Sequence, residues 1–469
     1  MSAVAERQSL RGFLARLEAR GELLRIAEPV DPRFEVSAVL ERVWDGPAVL
    51  FEFLEGSKLK LIGNVLNSET RFANGLGVTR ADLQFRIVDA IEHPLPSRLV
   101  ESGPCQEVAV EAPDLALLPI PHFFEGESGP YITAGAIVAE DSASKARNLS
   151  FARLKPLGGN RAFIGIAPNH HLAQLARAAA AQGESLPIAV TIGNHPAVLT
   201  AAALYLGLGD DELEVAGALL GEPVEVVRCR TSRLQVPAHC EIVLEGTLDA
   251  GELIEEGPVS EFHGLYETYG TGQVVTFQQM TRRRDAIYQA IQPGYHPEHV
   301  LIGGIAIAAG LARHLRRNIP CLHRVAVGLG GAGRLHAVVS LREPRPGDAR
   351  KAMFAIWGAV NLIKLVTVVD EDIDIADPLQ VEWAVATRMK ADRDLVVVPG
   401  VRADRSEPLE RDGLVAKLGI DATRRAGDRA DWTRAAPPAA AMEKARRLLE
   451  NGRISAPEQD RVSLTQADP

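Results

Sequence analysis

The order of apolar and polar positions along the chain predicts alternating helices and strands. Leu10, Phe13, Leu14 and Leu17 recur at helical spacing, so a helix is expected within residues 9–25, with Gly21 as its stop signal. Residues 28–66 carry three short β-type runs between turns, VSAVLERV, AVLFEFL and LKLIGNVL. Residues 80–104 hold a short helix and then a Pro-rich stretch, Pro94, Pro96 and Pro104, read as a linker. A second linker is expected at 113–121, with Pro113, Pro119 and Pro121.

From residue 131 the β signal strengthens. YITAGAIVAED, RNLSFARL and AFIGIA predict strands, residues 171–182 a helix rich in Ala and Leu, 188–193 a strand and 196–206 a helix. EVAGALLGEPVEVVRC and CEIVLEGTL follow as a helix and strands. Such alternation implies a mixed α/β fold. A third unit spans about 320–420, with strands in HRVAVGLG, LHAVVSLR, LIKLVTVVDED and LVVVPG and a helix at 350–361. Beyond 420, Ala, Arg and Pro cluster around one helical stretch, 439–450. There is no internal repeat.

Composition then removes classes. Of 469 residues, 46% are hydrophobic and 24% charged, an ordinary globular balance for a chain of two or three domains. The 51 Lys and Arg against 61 Asp and Glu leave a net charge of −10, which argues against a dedicated nucleic-acid binder. Cys105, Cys229, Cys240 and Cys321 are widely spaced with no CxxC. A disulfide scaffold or zinc ribbon is not expected, and a reducing compartment fits. The opening residues have no apolar core of signal-peptide length, and the longest apolar run, 301–312, is too short to span a bilayer. A cytoplasmic protein without stable membrane association is the expectation.

Five clusters are candidates for chemistry. Gly328 to Gly333 matches G-x-G-x-x-G, but the residues after it read as a strand, so a glycine turn is expected rather than a dinucleotide site. His296-Pro297-Glu298-His299 lacks the order of a helical zinc motif, and is either a pocket-lining or a solvated loop. Glu256-Gly257-Pro258-Val259-Ser260-Glu261 places a turn between two carboxylates, followed by apolar Phe262, His263 and Tyr266. A carboxyl in apolar surroundings has its charged form disfavoured and can donate a proton near neutral pH. Asn148 to Arg153 reads as a strand, with Asn148, Ser150 and Ala152 on one face and Leu149, Phe151 and Arg153 on the other. An Arg among apolar residues either pairs with an anion or snorkels to the surface. His170-His171 opens a helix, and becomes a metal candidate only if an oxygen ligand such as Asn148 or Glu212 joins it.

Taken in order, these segments resemble the UbiD family of decarboxylases, which use prenylated FMN. The resemblance runs over most of the chain: Leu10 to Gly21-Glu22-Leu23, Tyr131-Ile132-Thr133-Ala134-Gly135, Asn148-x4-Arg153, Val236-Pro237-Ala238-x2-Glu241 to Gly246, Glu256-Gly257-Pro258-x2-Glu261 and Gly419 to Thr423. It implies an N-terminal α/β domain (1–112), a central flavin-binding domain built on a split β-barrel (113–318), a C-terminal α/β oligomerisation domain (319–438) and a helix and tail (439–469). It also implies that Asn148, His171 and Glu212 hold Mn²⁺ or Mg²⁺, with Glu214 a weaker competitor for the third place. A K⁺ would be held by Glu212 and the carbonyls of Leu149, Ala201, Ala202 and Leu204. Ser150, Phe151, Ala152, Arg153 and His170 would border the flavin, and Lys364 would approach it from the C-terminal domain.

In the same reading Arg153 orients the substrate carboxylate, Glu256 pairs with it, and Glu261 protonates the carbon that loses CO₂. Val259 and Ser260 depart from the commonest family text, where Phe and Gly are frequent, but the Glu-to-Glu spacing is kept. Phe262, His263, His296 and His299 are candidates for shaping the substrate site. The implied partners are a small carboxylic acid and CO₂, a flavin prenyltransferase that supplies the cofactor, and further copies of the chain in a homodimer or hexamer. The alternative is a non-catalytic flavin-binding or scaffold subunit of a multi-component carboxylase.

Overall fold

The computed structural model describes residues 3–141, 144–168, 170–425, 427–428, 432–433 and 435–451. Residues 452–469 of the expected tail lie outside these. The chain forms two compact units, residues 1–310 with 327–334, and residues 311–326 with 335–469. Among the described residues no helix is long and apolar enough to cross a membrane.

In the first unit the helix Leu10–Ala19 buries the apolar stripe Leu10, Phe13, Leu14 and Leu17, and Ser9 caps it by accepting from the Gly12 N–H. The chain turns at Gly21, where φ is +72°, and enters the strand Leu23–Val30. The run VSAVLERV, expected as β, is instead the helix Glu35–Arg42. Val36 and Leu40 are buried one turn apart, so the four-residue period outweighs the β-branched composition. The strands Leu23–Val30, Ala48–Leu54 and Lys60–Gly63 form a sheet whose fourth member, Ile287–Gln289, comes from far along the chain. Glu241 helps to fix that return: its buried carboxylate accepts from Arg11 Nε and Nη2 at 2.8 and 2.9 Å and from the Ile287 N–H.

The central sheet is antiparallel throughout. Its order is Arg147–Phe151, Ala136–Glu140, Leu186–Ile192, Ile242–Glu255, Thr271–Arg282, Arg161–Ile164 and Leu154–Gly158, with Val108–Glu111 also paired to Thr271–Arg282. No strand pairing closes this path among the described residues, so the expected split barrel is present as an open sheet. The two ends of the path are nevertheless consecutive strands, separated only by Ala152 and Arg153. Three peptide steps span at most about 11 Å. The sheet must therefore curl until its edges nearly meet, and Arg153 lies in the seam.

Ile137, Val190, Leu244, Val275 and Phe277 form the core inside this sheet, with Leu172, Leu175 and Ala176 of the helix His171–Ala181 packed among them. Leu115 and Leu118 join the same core, so the expected linker at 113–121 is a packed segment containing a 3₁₀ turn, Leu115–Leu117.

The second unit has a five-stranded sheet in the order Leu322–Ala326, His336–Leu341, Leu365–Asp370, Leu414–Asp421 and Leu395–Arg402, with the outer strands antiparallel and the inner ones parallel. The strand Leu414–Asp421 and the helix Pro378–Arg388 were not among the expected elements. The helix Asp348–Ala359 buries Ala352, Met353 and Ile356. In the first unit, Gly328 to Gly333 is a 3₁₀ turn with left-handed Ala332 and Gly333, and no α-helix begins there, which agrees with the sequence reading.

His296 directly precedes the helix Pro297–Arg316, and both His296 and Glu298 are buried, which removes the solvated-loop alternative. Glu298 Oε1 accepts from the Val65 and Leu66 N–H groups, both at 2.9 Å. Burial pushes its carboxyl up to about 7, against these hydrogen bonds and nearby Arg71. A folded-state value above the unfolded one gives stability that is complete below about pH 4.3 and is lost as pH rises through 7. Glu298→Gln keeps an acceptor without the titration. Between pH 5 and pH 8 it should gain roughly 2 kcal/mol relative to the unsubstituted chain in urea unfolding. Parallel pH profiles would refute this account.

Candidate active site

The sequence-predicted Arg–Glu–Glu set is assembled at the seam. The Arg153 guanidinium donates to both oxygens of Glu256, from Nε at 2.6 Å and from Nη2 at 3.0 Å, and its Nη1 donates to Glu261 at 2.9 Å. The Glu256 side chain is 1% exposed, and the Arg153 guanidinium lies 5.3 Å from the Tyr269 ring centroid. Two carboxylates thus share one cation in a nearly dry site.

Local backbone explains the placement. Glu256 follows the last residue of the strand Ile242–Glu255, and Gly257 turns the chain with φ of +80°. Glu261 begins the tip of the hairpin formed by Val259–Ser260 and Tyr266–Glu267, closed by Glu261 N–H to the Leu265 carbonyl and Gly264 N–H to the Glu261 carbonyl. Ser128 clamps the turn: its N–H donates to the Pro258 carbonyl and its hydroxyl to the Glu256 carbonyl at 2.7 Å. The ammonium of Lys155 donates to the same carbonyl and to the Ser128 hydroxyl. The Ser260 hydroxyl donates at 2.5 Å to buried Glu127, whose other oxygen accepts from the Phe124 N–H. That contact gives the departure at Ser260 a structural role.

Sequence reasoning missed Ser128, Glu127 and Lys155. For Lys155 a signal existed, because it stands two residues beyond Arg153. Ser128 acts mainly on a carbonyl, which leaves no side-chain pattern.

Burial pushes the Glu261 carboxyl up, but the charges of Arg153, first, and Arg334 outweigh it and hold it below the usual carboxylate range. The apolar flanks in the sequence pointed the other way, towards a carboxyl poised near neutrality. Arg153 stays fully charged, because the hydrogen bonds and fields of its carboxylates exceed the cost of burial. His299 is neutral: burial lowers it to about 4, with Arg334 and Arg153 adding to the effect. Its Nδ1 lies 3.1 Å from the Gly294 carbonyl, so that nitrogen carries the proton. His296 is likewise lowered to about 4 by burial.

The candidate metal ligands are partly gathered. Asn148 and Ser150 face the same side of the strand Arg147–Phe151. Glu212, the first residue of the helix Glu212–Leu220, accepts from Asn148 Nδ2 at 3.1 Å and from the Leu149 N–H at 2.8 Å. The Ser150 hydroxyl donates to Asn148 Oδ1 at 3.2 Å. Burial pushes the Glu212 carboxyl up to about 8. His171 opens the helix His171–Ala181, and among the described residues no three His, Cys, Asp or Glu side chains converge as a metal-binding group. His170 caps that helix, and its Nδ1 is buried without a partner.

The buried Glu212 carboxylate beside the Asn148 amide suits an oxygen-preferring divalent ion, whereas the partnerless imidazole nitrogen belongs to His170 and not to the candidate ligand His171. Glu214 points elsewhere, lining a cavity of about 470 Å³ with Lys145, Arg147 and Asp211. None of Arg153, Glu256 and Glu261 lines that cavity. Lys364, in the second unit, donates to buried Glu407 at 2.6 Å.

Comparison with known proteins gives three consecutive matches to one family. The 3-octaprenyl-4-hydroxybenzoate carboxy-lyase N-terminal domain matches residues 14–91, its Rift-related domain residues 98–296 and its C-terminal domain residues 300–422. The chain is 36% identical over 429 residues to the anhydromevalonate phosphate decarboxylase of Methanosarcina mazei, covering 91% of this chain and 99% of that protein. The protein of the same name from Methanothermobacter thermautotrophicus is 34% identical over 415 residues, 88% of this chain and 96% of that protein. Among solved structures, the UbiD-class enzyme HmfF from Pelotomaculum thermopropionicum, in complex with FMN, superposes with a TM-score of 0.89 at 38% identity, covering 93% of this chain and 99% of that one. Apo 3,4-dihydroxybenzoic acid decarboxylase from Klebsiella pneumoniae gives 0.85 at 27% identity, covering 93% and 99%. The chain belongs to the UbiD family and is a carboxy-lyase of that family.

The ion cluster makes a prediction about stability. Arg153→Met strands the buried Glu256 carboxylate, and should cost about 3 kcal/mol. Adding Glu256→Gln should restore at least half of that, read from denaturant midpoints. A single variant that unfolds at the wild-type midpoint would show that the pair carries no such coupling.

Proposed function

We propose that this UbiD-family carboxy-lyase removes CO₂, non-oxidatively and reversibly, from an aromatic, heteroaromatic or α,β-unsaturated carboxylic acid, with prenylated FMN as cofactor. The observation that carries this reading is the Arg153 guanidinium held between buried Glu256 and Glu261. Relatives support both substrate types: the curated ones are named for anhydromevalonate phosphate, and one solved neighbour for 3,4-dihydroxybenzoic acid. Flavin is bound in related structures, as FMN and as prFMN.

Prenylated FMN, when bound, supplies the electron sink that no side chain offers to an sp² carbon losing CO₂. Arg153 receives the substrate carboxylate by charge-assisted hydrogen bonds, and Glu256 keeps the guanidinium oriented. Glu261 delivers the proton to the carbon that loses CO₂. In the free site Glu261 is ionised. A carboxylate docking on Arg153 neutralises the strongest field holding it so, and burial then favours the protonated form. The substrate thereby arms its own proton donor.

Asn148, His171 and Glu212 would hold Mn²⁺ or Mg²⁺, and Leu149, Ala201, Ala202 and Leu204 would offer carbonyls to K⁺. Ser150, Phe151, Ala152 and His170 would border the flavin. A cytoplasmic homodimer or hexamer, supplied by a flavin prenyltransferase, completes the reading. The complete Arg153, Glu256 and Glu261 set speaks against a purely scaffolding subunit.

After co-expression with a flavin prenyltransferase, a panel of acids read by CO₂ release or by deuterium uptake from D₂O tests the reaction. Glu261→Gln should lose at least about 100-fold in turnover while keeping its flavin. Full activity in that variant would remove Glu261 as the proton donor. Glu212→Gln should purify with little Mn²⁺ and less flavin, measured by metal analysis and absorbance. Wild-type metal content in that variant would place the ion elsewhere.

A further inference from the structure

Arg153 has two anionic partners, but a second guanidinium beside the site has none. Arg334 ends the glycine turn 328–333, with its N–H on the Gly331 carbonyl. Its guanidinium carbon lies 4.6 Å from the ring centroid of Phe262, the residue after Glu261. Nη1 is buried and has no hydrogen-bond partner, and no carboxylate pairs with Arg334 among the described residues. The charge of Arg334 is felt by both Glu261 and His299, so it faces the same space as the proton donor.

The surrounding backbone is shaped for this placement. A Cβ at Gly303 would fall 2.6 Å from the guanidinium carbon, and one at Gly304 would fall 2.1 Å from the Val327 carbonyl oxygen. Two glycines inside the helix Pro297–Arg316 are unfavourable by about 1 kcal/mol each relative to alanine. Here they let the turn and its arginine lie directly against the helix. A buried guanidinium donor without an acceptor is costly unless a ligand completes it. Arg also suits planar, bidentate recognition of carboxylate or phosphate.

We propose that Arg334 forms a second anion subsite, which binds a carboxylate or phosphate carried by the substrate in addition to the carboxylate that leaves as CO₂. This rests on the decarboxylase reading above and narrows it to dianionic acids. Arg153 takes the reacting carboxylate and Arg334 the remote anion, with Glu261 beside both.

Three matched acids test this by calorimetry on the flavin-loaded protein: pent-2-enoate, hex-2-enedioate and 5-phosphooxypent-2-enoate. The wild type should bind at least one dianion about tenfold or more tighter than pent-2-enoate, and which one is favoured identifies the anion. Arg334→Met should erase the preference and Arg334→Lys should keep part of it, with flavin content unchanged in both. Equal binding of all three acids by the wild type, a preference that survives Arg334→Met, or flavin loss in both variants would each overturn the subsite. Turnover is scored separately. An acid bound through Arg334 but never decarboxylated by the prenylated-FMN-loaded enzyme would sink the decarboxylase reading and leave the subsite standing.

Discussion

A single guanidinium shared by two buried carboxylates governs the site. Arg153 bonds Glu256 through two nitrogens and Glu261 through the third, so none of the three can move alone. Such a cluster is unfavourable to bury unless every member is satisfied, and much nearby detail serves that requirement. Ser128 and Lys155 fix the carbonyl of Glu256, Ser260 satisfies Glu127, and Gly257 turns the chain between the carboxylates. The cluster itself carries one more negative charge than positive. Arg153 is the main charge that keeps Glu261 ionised in surroundings that would otherwise protonate it, and Arg334 adds to that field.

Much of this was legible in the chain, because the candidate site residues sit at fixed local spacings. The Glu256–Glu261 interval and the histidine pair at a helix start survive folding as local geometry, and the strand expected at Asn148–Arg153 forms as far as Phe151, with Ala152 and Arg153 beyond its end. The Leu10–Leu17 stripe is read correctly for the same reason. VSAVLERV is not, because Val is common in strands and its burial on one side becomes visible only once neighbours are in place. The direction of the Glu261 shift was hidden too. Its sequence neighbours are apolar, whereas its spatial neighbours, Arg153 and Arg334, come from more than seventy residues away on either side.

The global charge of −10 and the local chemistry are also reconciled by placement. Anionic side chains dominate the chain as a whole, yet near Glu261 two full positive charges, Arg153 and Arg334, are concentrated. Buried Glu212 illustrates the reverse case: desolvation pushes its carboxyl up to about 8.

The curled central sheet has a consequence for how the molecule is made. Its terminal strands are neighbours in sequence but lie at opposite ends of the pairing order, with Arg153 on the two-residue bridge between them. Every strand between those ends must dock before the bridge is held from both sides. Those docking partners come from as far away as residues 242–282, so the chain must be largely synthesised first. A nascent or partly assembled protein therefore lacks Arg153 in its final position. The Arg153, Glu256 and Glu261 cluster is thus a product of the completed topology and not of any local segment.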